Sequence, residues 1–176
     1  MTIERRQHLT TAEDYERRIK ALETRVSELS VSPWFGCLTR NALDVAIRAI
    51  DTADLWVCFF DIDRLKQANE RWGKLTTSNK IAASIKPRSS DLLAEYHLPI
   101  VGQWFSGDEF VAILPEADVL GYAQRVQKAL HSEELSATFV LVSCGYMVNT
   151  YLTINYADKV ASYVKADGHR NLIVRI

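Results

Sequence analysis

Phe59-Phe60-Asp61-Ile62-Asp63-Arg64-Leu65-Lys66 decides the fold, read together with Ser106-Gly107-Asp108-Glu109-Phe110 further along the chain. Each stretch has the pattern of a buried strand that delivers carboxylates to the edge of a sheet. An apolar run that ends abruptly in Asp-Ile-Asp puts two charges on the tip of a hydrophobic element. Burial there without a partner costs about 2 to 7 kcal/mol even for a neutral polar group, so a cation is expected beside them. If Asp61, Asp108 and Glu109 converge, their oxygens suit a hard divalent ion, Mg2+ or Mn2+, that bridges to substrate phosphates.

Working outward, Pro99 to Phe105 and Phe110 to Leu114 are apolar runs on either side of the second acidic stretch, which predicts a hairpin whose turn projects its acids from a rigid support. Upstream, the spacing of Leu43, Ala46, Ile47 and Ile50 predicts a helix over 40–50, leading into a strand over 55–60. A helical stretch through Asn69 ends at Gly73. Thr77 or Ser78 is placed to cap a further helix that Pro87 stops. Downstream, the patterns predict a helix over 117–134, a strand over 137–147, a helix over 156–166 and a strand over 172–176. Helices alternating with strands around one internal hairpin define an α+β domain, a palm-like, ferredoxin-related sheet, mixed but rich in antiparallel pairs and flanked by helices.

This domain is expected over 32–176, preceded over 1–31 by a helical appendage. Ala12, Tyr15, Ile19, Leu22, Val26 and Leu29 recur at spacings of 3, 4, 3, 4 and 3, the a/d rhythm of a coiled coil, and predict a homodimer through residues 12–29. A single amphipathic helix lying on its own domain is the alternative reading of the same spacing. Across 176 residues, 21 Lys and Arg balance 22 Asp and Glu, and that near-neutral balance gives no support to a DNA- or RNA-binding surface. Cys37, Cys58 and Cys144 lack metal-ligand spacing and read as reduced thiols. With no apolar run long enough for a membrane segment and no signal-peptide core, a cytoplasmic protein is expected.

The two acidic stretches, their order and their separation resemble the GGDEF family of nucleotide cyclases, typified by diguanylate cyclases. Ser106-Gly107-Asp108-Glu109-Phe110 matches the name-giving motif except at its first glycine. Phe60 to Asn69 resembles the family's apolar-Asp-x-Asp-x-Phe-Lys-x-x-Asn pattern with Leu65 in place of Phe. Ser32 to Arg40 echoes the family's opening motif D-x-L-T-G-L-x-N-R, and Ala157-Asp158, Lys165 and Gly168 echo a late one. The resemblance implies that two such domains face one another, each holding a purine nucleoside triphosphate, GTP or also ATP. Each 3'-hydroxyl then attacks the other's α-phosphate to give a cyclic dinucleotide.

By the same resemblance, Asp61, the Ile62 carbonyl, Asp108 and Glu109 hold metal, with Asp61, Asp108 and Glu109 catalytic. The backbone N–H groups of Arg64, Leu65 and Lys66 cradle phosphates at a helix start. Gly107 lies against the nucleotide, Lys165 clamps phosphate, and Asn69 bonds the base. His169 stands where the family has a phosphate-binding Arg, with Arg170 beside it. Ser78 stands where the family has a guanine-reading Asp, nine residues after Asn69. A hydroxyl offers one rotatable group where a carboxylate offers a two-acceptor fork, so selectivity is expected to relax towards ATP and cyclic GMP-AMP. Arg88-Ser89-Ser90-Asp91 spells the family's product-inhibition motif, but too far before Ser106 to be that site. The alternative reading is a catalytically degenerate GGDEF module that binds nucleotide or signals as a dimer. It rests on the replaced positions Ser32, Trp34, Phe35, Cys37, Thr39 and Lys74.

Overall fold

The computed structural model describes residues 16–20, 30–86, 98–105 and 107–176. The chain divides into two compact units, Met1–Ser30 and Val31–Ile176. In the first, residues 16–20 form an exposed helical stretch. The rest of the predicted 12–29 repeat lies outside the described residues, as do residues 88–91 and Ser106.

The second unit runs α1 (Arg40–Ala49), β1 (Leu55–Ile62), α2 (Leu65–Trp72), α3 (Lys74–Ile85), β2 (Ile100–Gln103), β3 (Glu109–Pro115), α4 (Glu116–Ser132), β4 (Ala137–Ser143), a 3-10 turn (Cys144–Tyr146), α5 (Thr150–Ala166) and β5 (Ile173–Arg175). This is the predicted order of helices and strands. The sheet order is β2-β3-β1-β4-β5, with every neighbouring pair antiparallel except β4 and β5. The architecture is therefore the expected α+β one, an antiparallel-rich mixed sheet between two helical layers.

β1 lies at the centre and is covered on both faces, which is why its sequence is an unbroken apolar run instead of an alternation. Cys58, Phe60 and Ile62 enter a core completed by Ile81 and Ile85 of α3 and by Val119, Tyr122, Val126 and Leu130 of α4. Phe60 stacks between Phe110 and Phe139 of its two neighbouring strands, at centroid distances of 5.3 Å on each side. Val57 and Phe59 enter a second core with Leu43 and Ile47 of α1 and Ile154, Ala157 and Ala161 of α5. On this side Gly102 lets α1 press onto β2, since a Cβ there would stand 2.9 Å from the Leu43 Cβ. Strand alternation puts Asp61 on the face of Val57 and Phe59, towards α5. The three cysteines are free and buried.

Three boundaries differ from the sequence reading. α3 begins at Lys74, not at Thr77 or Ser78, and Thr77 sits inside its first turn, where its hydroxyl donates to the Gly73 carbonyl at 3.0 Å. β4 stops at Ser143, and the chain curls into the 3-10 turn instead of continuing to Met147. α5 begins at Thr150, six residues before the expected start, because the Asn149 side chain accepts from the Leu152 N–H at 2.9 Å and caps it. No helix among the described residues is long and apolar enough to cross a membrane.

Candidate functional site

Three elements bring the predicted acids together. Asp61 near the end of β1 pairs in register with Glu109 at the start of β3, which puts the two side chains on one face. The Ile62 N–H donates to the Asp108 carbonyl at 2.9 Å, binding the hairpin turn to the strand tip. From the facing helix α5, the Lys165 ammonium reaches Asp61 Oδ1 at 2.6 Å and Asp63 Oδ1 at 3.2 Å. It also donates to the carbonyls of Asp61 at 3.1 Å and Ile62 at 3.4 Å.

Asp63 is engaged differently. Buried to 4% exposure, it accepts from Ser136 Oγ and Thr138 Oγ1, both at 3.0 Å, and from the Asn171 N–H at 3.1 Å. It ties β1 to β4 and to the approach of β5.

The electrostatics show an excess of negative charge. Burial pushes the Asp61 carboxyl above its ordinary range despite the ion pair with Lys165, helped by the charges of Asp108 and Asp63. Burial likewise raises Asp108, against its own backbone N–H and Lys165. Glu109 is pushed up to about 7, first by burial and then by Asp158, Asp61 and Asp108. Burial also raises Asp158 on α5, with Lys159 opposing. Asp158 entered the sequence reading only as part of a late motif echo, and no pattern in its own segment marks it as a neighbour of Glu109.

The donor set fits a hard cation. Carboxylate and carbonyl oxygens surround the strand tip, and Glu109 Oε2 is buried without a hydrogen-bond partner. As arranged, no group of three or more His, Cys, Asp or Glu side chains closes on one metal position among the described residues. Lys165 occupies the middle of the arrangement.

Beside the acids, Arg64 takes a left-handed conformation (φ 54°, ψ 36°) and turns the chain into α2, a backbone state that costs a non-glycine residue roughly 1–2 kcal/mol. Among the described residues no side chain caps that helix start and no acid stands in its first turn, an arrangement that leaves its first N–H groups suited to an anion. A cleft of about 440 Å³ opens there, lined by Leu65, Lys66, Asn69, Glu70, Lys74 and Asp108. The fold thus gathers Asp108, Leu65, Lys66 and Asn69 along one cleft and places Glu70 and Lys74 there as well. Ser78 is half-buried on α3 and is not part of the cleft lining. His169 and Arg170 are exposed after α5, where His169 Nε2 stands 3.5 Å from Asp167 Oδ2. Gly107, at φ +62°, makes the turn into β3.

The hairpin has a brace that the sequence did not reveal. The Arg40 guanidinium lies 3.4 Å over the Trp104 ring, bonds the Trp104 carbonyl at 2.8 Å and pairs with Asp44 at 3.0 Å. The Trp104 backbone N–H in turn donates to the Glu109 carbonyl at 2.9 Å.

No protein-family model matches the chain, and no curated protein sequence does. Solved structures do. A microbial GGDEF domain studied with cyclic di-GMP is 22% identical with a TM-score of 0.68, covering 84% of this chain and 99% of its own. The diguanylate cyclase SiaD of Pseudomonas aeruginosa, solved with its activator SiaC, is 21% identical with a TM-score of 0.66, over 94% and 69% of the two chains. The coiled coil and GGDEF domain of DgcB from Caulobacter crescentus, in complex with c-di-GMP, is 18% identical with a TM-score of 0.65, over 93% and 94%. Residues 31 onward have the fold of a GGDEF domain.

Proposed function

We propose that the chain is a divergent GGDEF-type cyclase that joins two purine nucleoside triphosphates into a cyclic dinucleotide with the help of Mg2+ or Mn2+. The observation that carries the reading is the meeting of Asp61, Asp108, Glu109 and Lys165 beside an uncapped helix start and an open cleft. The coarse likeness to diguanylate cyclase domains supports it.

Asp61, the Ile62 carbonyl, Asp108 and Glu109 are the ligands available to a divalent ion, which when bound supplies charge neutralisation at the phosphates and activation of the hydroxyl. The N–H groups that open α2 bind phosphate oxygens, and Lys66 and Lys74 add positive charge along the cleft. Glu109 is poised near neutrality and has an unpartnered oxygen, so it is placed to accept a proton from an attacking hydroxyl. One domain holds one nucleotide, and closing the ring takes a second copy opposite the first.

Incubating the protein with GTP, ATP or both, plus Mg2+ or Mn2+, and resolving products by mass tests this reading. Pyrophosphate and a cyclic dinucleotide are expected. No pyrophosphate from any mixture would refute turnover. A product containing adenine extends the reading to the relaxed selectivity suggested by Ser78, whereas guanine alone leaves base choice to Asn69, Glu70 and Lys74 along the cleft. Asp108→Ala is expected to lower turnover by more than the roughly 10- to 100-fold that losing a supporting partner of a metal ligand costs. A second reading, nucleotide binding without turnover, is favoured by the ammonium standing among the metal-ligand oxygens. Nucleotide binding with no pyrophosphate release in the same experiment would select it.

A further inference from the structure

Lys165 holds a position that a divalent ion needs. Its nitrogen is surrounded by four oxygens at 2.6 to 3.4 Å: one from each of the Asp61 and Asp63 carboxylates, and the carbonyls of Asp61 and Ile62. These are the carboxylate and carbonyl donors that Mg2+ takes at about 2.0 to 2.1 Å, so the ammonium and the ion exclude one another. The lysine side chain is only 16% exposed, which marks a settled contact and not a surface encounter.

We propose that Lys165 is a resident cation that stands in for the metal while the site is empty of nucleotide. A divalent ion enters as Lys165 withdraws from Asp61 and turns to the phosphates of the incoming substrate. This inference rests on the reading of the site as metal-dependent and goes beyond it by making one residue the gate between two bound states.

The partners of the two acids explain why the exchange falls on Asp61. When Lys165 leaves, Asp63 keeps Ser136, Thr138 and the Asn171 N–H. Among the described residues, the Asp61 carboxylate has no other ion pair or hydrogen bond, so the departure of Lys165 leaves that oxygen open to a new cation. Glu109 stands in register beside Asp61, and Asp108 is bound through its carbonyl to the Ile62 N–H, so both lie next to the position Lys165 vacates. The lysine stem is long and flexible and its ammonium is a point charge, which suits a group that changes partners. One consequence follows by linkage: metal and nucleotide phosphate favour each other's binding, because each gives the other a vacated partner.

The test measures Mn2+ binding without nucleotide, by electron paramagnetic resonance of free Mn2+, for the full chain and for Lys165→Met. The variant is expected to bind Mn2+ at least about tenfold more tightly, within the usual range of coupling between two competing ligands. Its melting temperature is expected to fall in the absence of metal and to recover when Mn2+ is added. Equal or weaker Mn2+ affinity in the folded variant, with the unaltered chain binding, overturns the inference and leaves the proposed function standing. Absence of Mn2+ uptake by both overturns the two together. A second measurement needs no stable loss-of-charge variant: the Lys165 ammonium resonance in 15N-labelled protein, assigned by its disappearance in Lys165→Arg. It is expected to be protected from exchange in metal-free protein and displaced by Mg2+, and a resonance unmoved at saturating Mg2+ refutes the exchange.

Discussion

Asp61 and Asp63 are separated by a single residue, yet the fold gives them different surroundings. Strand alternation alone does not part them, since both point towards Lys165; the difference comes from the donors of β4 and of Asn171, which enclose only Asp63. Glu109 offers the sharpest test at this scale. Its folded-state carboxyl sits at about 7 against an ordinary 4.5, so the folded protein holds a proton that the unfolded chain has released. By linkage, its stabilising contribution is complete below pH 4.5 and is lost as pH rises through about 7. Melting temperatures of metal-free protein are therefore expected to fall across that window. Glu109→Gln should flatten the fall without abolishing it, because Asp61, Asp108 and Asp158 are raised in the same direction. Metal ligands bind deprotonated, so stabilisation by Mg2+ should be larger at about pH 8 than at about pH 5.5. A pH-independent melting temperature in metal-free protein would contradict the electrostatics of the site.

At the scale of elements, the hairpin of β2 and β3 carries half of the site, and its geometry depends on a helix that contributes no chemistry. Arg40 at the start of α1 clamps Trp104, and Trp104 bonds the Glu109 backbone. Arg40→Ala removes a ring contact of about 0.5–2 kcal/mol and a charge-assisted hydrogen bond. The expected result is a modest loss of melting temperature with a disproportionate loss of pyrophosphate release, and unchanged turnover would show the brace to be dispensable. The hairpin itself was legible, because two apolar runs around Ser-Gly-Asp-Glu admit few other readings. The brace was not, since Arg40 and Trp104 are 64 residues apart and meet only when α1 docks on β2. The starts of α3 and α5 were misread for a related reason. Thr and Ser favour caps in isolation, and Thr150 to Asn155 is a weak helix former, but burial of Thr77 and Ile154 and the Asn149 cap override those preferences.

On the scale of the whole molecule, the proposed reaction joins one nucleotide from each of two domains and so would need two copies, which the coiled coil expected from the sequence would pair. Ile19 is 55% exposed, like the rest of residues 16–20. Replacing Ile19 and Leu22 with charged residues is predicted to give a monomer by light scattering, with turnover falling at low protein concentration. An unaltered dimer mass would place the pairing elsewhere. The globular unit keeps its own two cores on either side of one sheet, so this change should leave its melting temperature nearly unaltered.

The sequence by itself determined the order of helices and strands, the hairpin and the acids at the strand tips. These are local matters of apolar periodicity and of charge placed abruptly after it. Only the tertiary structure decided which acids face a cation and which face hydrogen-bond donors, and that Lys165 stands among the carboxylate and carbonyl oxygens of the strand tip. It also brought Glu70 and Lys74 onto the cleft beside Asn69. The physical reason is common to all of these: the partners come from strands and helices far apart in the chain, and burial sets the energy of a charge only once they have closed around it.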